Sequence, residues 1–478
     1  MAQPVEPIDR IEGLDRLMAA EKRHDLFSPR VDGWSMWRVV RHFVQRKTGQ
    51  YGVSRPQQND ARRSVWALAS TLRLLVILAF PPRVGLVVKT QRSSLRMEIG
   101  NRFRDIYFDG LLSAGDDHFK MEVIDSPDFA RQARASMFPA HLNPIVFTFW
   151  GRVLGKLFPA PAGEFPARAS AILKDEVGVD IPAATLRMLI STVYWQSRLF
   201  GLLLRRLRPR AALVCDTGEY GLVLACRRAG IPIIELQHGV FDAAHPDAIP
   251  DWVAGDGAEL VLPHILAARG GYWIEQLIGT RQADIAVPVG NELIDRARER
   301  RAVRQAELKG LGPVRRLLLT SQGMDSVRLA AWMEQLVEAA PPDTDWRLVI
   351  KLHPTYDAAT TAFDRIAAHP SVTIVPGGQQ PNVFDLLAEA DLHMSIASAC
   401  LFEAAALDVP SLVIPLLGHE GVLSALDGTL LRLASAPADA WAVLPERRDG
   451  GSGQYSEPGF LENMRRLIAG LERDPARR

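Results

Sequence analysis

Cysteine is scarce: three residues in 478, Cys215, Cys226 and Cys400. The number is odd, all three sit in apolar runs, and none has the close spacing of a zinc site or a disulfide framework, so they read as buried free thiols of a reducing compartment. The chain also lacks His-Glu-x-x-His, paired Cys-x-x-Cys and any dense carboxylate run, and no metal site is expected. The absence of Gly-x-x-x-x-Gly-Lys-Ser/Thr excludes a P-loop ATPase. The opening residues, MAQPVEPIDRIEGLDR, carry acids and lack the apolar core and cleavage site of a secretory signal. With a net charge of only +1, nothing in the overall charge attracts nucleic acid. The expected location is the cytoplasm.

Long apolar runs are missing too. The strongest, Val65 to Phe80, holds Arg73 at its middle and falls short of a membrane span. Arg62 and Arg63 precede it and Arg83 follows. Such a segment reads either as a helix lying on the inner face of the cytoplasmic membrane or as a buried helix with solvated basic ends. Basic residues concentrate around it: between Met36 and Arg104 there are fourteen Lys and Arg against two acids, Asp60 and Glu98.

The 47% hydrophobic and 23% charged content is that of a globular chain, and the length points to two or three domains. Residues 1–83 read as a helical extension, with Trp34, Trp37, Val40 and Val44 at helical spacing. From Val84, short apolar runs ending in polar residues alternate with helical stretches, the rhythm of a parallel, doubly wound sheet. The runs are VGLVV, AALVC and IPIIELQ, then ADIAVPVG, RRLLLTSQG, WRLVIKLHP, SVTIVPGG, ADLHMSIAS and VPSLVIPL. This predicts one α/β domain over 84–282, a second over 283–449, and a tail at 450–478 whose last helix crosses back.

Strand carboxyl ends in such sheets carry the ligands. Lys351 and His353, two apart at a strand end before Pro354, form a compact phosphate clamp, unless His353 only bonds a neighbouring carbonyl. Ser395 and Ser398 lead into a helix whose N-cap is expected at Ser398, with Glu403 within reach of a ribose; an ordinary capped helix is the plainer alternative. Ser321 and Gln322 end another strand beside the clamp. In the first half, Gln237, His238 and Gly239 follow a strand, with Gly239 allowing close approach of a ligand. Asp216 and Glu219 follow another and offer a carboxylate base, Asp216 doubling as a potential helix cap. Lys89, Gln91 and Arg92 line the acceptor side.

The order Gln237-His238-Gly239, Val289-Gly290-Asn291, Ser321-Gln322, Lys351-Leu352-His353-Pro354, then a Ser-rich helix start with a downstream Glu, resembles bacterial capsule and surface-polysaccharide glycosyltransferases of GT-B fold. That group includes capsular Kdo transferases, polysialyltransferases and CDP-glycerol glycerophosphotransferases. The likeness covers roughly residues 84–430. It implies two facing Rossmann-like domains, acceptor-side over 84–282 and donor-binding over 283–449, and a metal-independent, inverting transfer with no required cofactor. The donor is a CMP-, UDP- or CDP-linked sugar, bound through His353, Ser395 and Ser398, and the acceptor a saccharide, lipid-linked in some members, with Asp216 or Glu219 as base. A CDP-linked glycerol or ribitol phosphotransferase, a nucleotide-sugar epimerase and a decayed assembly protein are the alternatives. The chain departs from the pattern at Ala399, where a second hydroxyl is usual.

Overall fold

A computed structural model describes residues 10–47, 60–90, 96–99, 102–112, 117–124, 127–215, 218–308, 315–323, 325–353, 357, 361–377, 380–442 and 452–473. Asp216, Pro354, Gln91 and Arg92 lie outside the described residues. Twelve parallel strands build two sheets. They are β1 (Leu86–Thr90), β2 (His118–Glu122), β3 (Ala211–Val214), β4 (Ile233–Leu236), β5 (Ile265–Ala268), β6 (Ala286–Pro288), β7 (Arg315–Thr320), β8 (Trp346–Lys351), β9 (Val372–Val375), β10 (Leu392–Ser395), β11 (Ser411–Val413) and β12 (Leu431–Leu433).

The first sheet runs β6-β5-β4-β3-β1-β2 and the second β9-β8-β7-β10-β11-β12. Counted from its own first strand, the second sheet has the order 3-2-1-4-5-6 of a dinucleotide-type sheet, and the first begins 2-1-3-4-5 as flavodoxin-like sheets do. Both are sheathed in helices, which is why the strands read as apolar runs with little alternation. β1 and β3, for example, are buried along their whole length. The architecture is therefore the expected α/β one, two doubly wound parallel-sheet domains of GT-B type.

Two features depart from the expected layout, and a third shows how the tail packs. The strand at 283–290, expected to open the second sheet, is β6 and pairs with β5, closing the first. A single apolar run carries no information about which sheet it joins. The helical extension is not a separate unit: Trp34, Trp37, Val40 and Val44 share one core with Val87, Phe119 and the helices before β3. The last helix, Phe460–Arg473, leaves the second domain and sets Phe460, Met464 and Leu471 against Leu86, Val88 and Leu213. On the way the segment is held at both sides. Glu457 N–H donates to Arg269 O (2.7 Å), Trp273 Nε1 to Tyr455 O (3.0 Å), and Phe460 N–H to Asp295 Oδ2 (2.8 Å). Gly290, at φ +93°, lets this strap pass, because a Cβ there would lie 2.0 Å from Glu457 O.

Candidate functional site

The carboxyl ends of the two sheets face one another. Asn382, after β9, donates to Met97 Sδ in the hairpin after β1 (3.0 Å). More centrally, Arg269, one residue past β5, reaches across to Glu403 on the short helix after β10. Its Nη1 donates to Glu403 Oε1 at 3.0 Å, with both side chains nearly buried. The same guanidinium donates through Nη2 to the carbonyl of His238 (3.2 Å), which also accepts from Tyr107 OH (3.0 Å). Arg269 thus ties the Gln237-His238-Gly239 turn to the second domain.

In a doubly wound sheet a crevice opens where neighbouring strands send their connections in opposite directions. In the second sheet that point lies between β7 and β10, where residues 321–323 and 396–399 are described. Gln322 Oε1 accepts from Ala397 N–H (2.8 Å), joining the loop after β7 to the loop after β10. Ser321 Oγ donates to Asp357, which also accepts from Ser326 Oγ (3.1 Å) and from His353 N–H (3.2 Å). His353 N–H is also 3.3 Å from Ser321 Oγ, so Ser321 and Asp357 fix the backbone that carries the half-buried His353. Ser398 Oγ accepts from Cys400 N–H (3.2 Å), and the helix itself begins at Cys400.

Other side chains expected at this site are used differently. Ser395 is fully buried and its hydroxyl donates to Thr320 O (2.8 Å), stapling β10 to β7 instead of facing a phosphate. The Lys351 ammonium donates to Pro376 O (3.0 Å) beyond β9, and burial lowers its pKa to about 8. Glu403 holds Arg269 where a ribose contact was expected. Gln237 supports the turn, accepting from Arg269 N–H (2.9 Å) and donating to Gly239 O (2.8 Å). Gly239 has open space where a Cβ would stand.

In the first sheet the corresponding point lies between β1 and β3. Lys89 and Glu219 form an ion pair across it, at the wall of a cavity of about 470 Å³. Ser64, Thr148, Arg152 and Gln196 add polar groups to the lining, and Phe149 and Phe200 apolar ones. A pocket mixing fixed ions, amides and aromatic faces suits a ligand that is polar at one end and carbon-rich at the other.

Beside this cavity lies a buried constellation that the sequence did not announce. Asp247 accepts from Arg38, from Tyr220 OH and from His42 Nδ1 (2.7 Å), and Arg38 with its neighbours holds its carboxyl well below the usual range. Arg41 donates to Pro246 O (2.8 Å) and Ala248 O (2.7 Å). The helical extension therefore clamps the loop that follows the His238 turn. The missed signal was the run Arg38, Arg41, His42 on one turn-and-a-half of a helix otherwise made for burial. His238 itself is held neutral, its pKa pushed down to about 4 by burial and by Arg269. Burial pushes the Cys400 thiol up to about 12, and Cys215 and Cys226 are buried free thiols.

Fold and site together define a two-domain α/β protein whose two parallel sheets meet at their carboxyl ends through Arg269 and Glu403, with a cavity in the first domain. No family model matches the chain, and no curated protein matches it. Solved structures do. A UDP-GlcNAc 2-epimerase from Methanocaldococcus jannaschii is similar over 80% of this chain and 99% of its own, with 12% identity and a TM-score of 0.48. A variant of the wall teichoic acid polymerase TagF is similar over 98% of this chain and 99% of its own, with 9% identity and a TM-score of 0.48. MurG of Acinetobacter baumannii covers 81% of this chain and 100% of its own, with 13% identity and a TM-score of 0.45. The fold assignment itself stands on the strand orders given above.

Proposed function

We propose that the protein is a glycosyltransferase that moves a sugar from a nucleotide-activated donor to a surface-polysaccharide acceptor. The observation that carries this reading is that the carboxyl ends of the two sheets face each other, joined by Arg269 and Glu403 and by Asn382 and Met97. The crevice at β7 and β10 would take the donor, with the amides near Ser321–Gly323 and Ser398 and the imidazole of His353 toward its phosphates. A separate cavity of about 470 Å³ on the other sheet supports a second substrate, and so favours transfer over epimerisation of a single one.

In this reading the acceptor hydroxyl loses its proton to a group of the first domain as its oxygen bonds to the anomeric carbon. The bond from that carbon to the donor's phosphate oxygen breaks, and the nucleoside phosphate leaves carrying its electron pair. We assign the proton to His238, whose neutral imidazole sits on the turn held by Arg269, with Glu219 and Asp216 as the carboxylate alternatives. Closure of the two domains would exclude water.

Thermal unfolding with CMP, CDP, UDP and GDP tests the assignment. A ligand that binds only the native state at a hundredfold its Kd adds about 2.7 kcal/mol of stability. At least one nucleotide should raise the unfolding temperature, and His353→Ala should abolish that shift. No shift with any of the four sinks the reading.

A further inference from the structure

The helix Asp60–Ala79 is apolar on two faces. Ala67, Leu74 and Ile77 are buried against the first domain, while Val65, Leu68, Leu72, Leu75 and Val76 project outward. Leu72 is 69% exposed, and Phe80, the next residue after the helix, 81%. The outward residues follow the spacing i, i+3, i+7, i+10, i+11, a continuous stripe. The neighbouring helix Ile145–Leu157, joined to it by Trp150 Nε1 donating to Thr71 Oγ1 (2.9 Å), ends in the exposed Leu157 and Phe158. A surface of this kind on a folded domain marks something that covers it.

Its charges name the occupant. Exposed Arg73, Arg83, Arg152, Lys156, Arg205 and Arg206 lie on or beside the two helices and the long helix Ala183–Leu207 behind them. Apart from Asp60, these three helices contain no acidic residue. An apolar stripe rimmed by cations with no compensating acids complements a sheet of anionic headgroups over hydrocarbon. Among the described residues no helix is long and apolar enough to cross a membrane, so the stripe would lie in the interface and not span it.

We infer that this face docks on an anionic lipid bilayer. The docking itself stands on the stripe and its rim. A consequence that does rest on the proposed transfer concerns the acceptor. The cavity at Lys89 and Glu219 is walled by the same two helices, through Ser64, Thr148, Phe149, Arg152 and Val153. A lipid-linked saccharide anchored in the bilayer would meet that wall first.

Sedimentation of the full chain with vesicles tests the docking, using phosphatidylcholine alone or with roughly one third phosphatidylglycerol. The protein should pellet with the anionic vesicles, less so as salt rises. The exposed triple variant Leu72→Gln, Leu75→Gln, Val76→Gln should lower the bound fraction at least about tenfold. Three outcomes overturn the inference. They are wild-type protein that stays in the supernatant, a triple variant that pellets like wild type, and equal binding to neutral vesicles. Light scattering without lipid adds a fourth: a wild-type dimer that the triple variant turns into monomer assigns the stripe to a second copy. Nucleotide-induced thermal shifts measured on both proteins keep the two readings apart. Vesicle binding with no nucleotide shift removes the transferase and leaves the docking. A nucleotide shift without vesicle binding does the reverse.

Discussion

Arg269 holds Glu403 across the domain boundary at 3.0 Å while donating to the carbonyl of His238 at 3.2 Å, so one guanidinium fixes the geometry of both halves of the cleft. Both partners of the pair are nearly buried. Removing one leaves the other desolvated and unpaired, which costs about 3–5 kcal/mol. Arg269→Ala should lower the unfolding free energy by about that amount in urea. Arg269→Ala with Glu403→Ala should recover part of it, because no lone charge remains. Additive losses in the double variant would show that the pair does not couple the domains.

His353 is half-buried, and its backbone N–H, which the substitution to alanine keeps, is held by Ser321 and Asp357. His353→Ala should therefore leave urea unfolding within about 0.5 kcal/mol of wild type. Loss of one donor to a developing charge lowers turnover about 10²–10³-fold, and that is the drop expected with a donor identified by the nucleotide screen. Turnover equal to wild type would remove His353 from the leaving-group site.

Acid should destabilise the fold well above the carboxylate range. Burial is the main cause that lowers the pKa of His238 and His264 to about 4 and of His245 and His393 to about 3. Two of these rings also accept a backbone N–H, His264 Nδ1 from Ile233 and His245 Nδ1 from Asp247. The unfolded chain takes up protons near pH 6.5 and the folded one only near 3 to 4. Stability is thus complete above about pH 6.5 and lost as the pH falls, by at most about 1.4 kcal/mol per pH unit for each such histidine. Urea midpoints between pH 7.5 and 5 should fall accordingly, with a shallower slope in His393→Gln. A flat profile would contradict neutral burial of these rings.

Gly290→Ala should strain the strap between the domains. The new Cβ would meet Glu457 O, and the φ of +93° is unfavourable for alanine. A loss of at least about 2 kcal/mol is expected, together with faster proteolysis in the 452–473 segment. Unchanged stability and protection would mean that the strap does not hold the domains.

Much of the fold was legible in sequence because strands covered on both faces must be apolar throughout, and polar residues at their ends mark the loops. Ser321-Gln322, Glu219 and the His238 turn were located that way. The short strands β2, β5 and β12 escaped, being three to five residues long and no more apolar than helical neighbours. Arg269 and the Arg38–Asp247–His42 cluster escaped for a different reason: their partners lie 134 and 205 to 209 residues away in the chain.

The sequence by itself determined that this chain forms doubly wound α/β domains, where their loops fall, and that the 65–80 segment is apolar enough to need a partner surface. Only the tertiary structure decided that β6 belongs to the first sheet, that Ser395 and Lys351 turn inward, and that Glu403 meets an arginine. Period and composition report the burial of a side chain. Which atom a buried polar group meets depends on the packing of elements far apart in the chain.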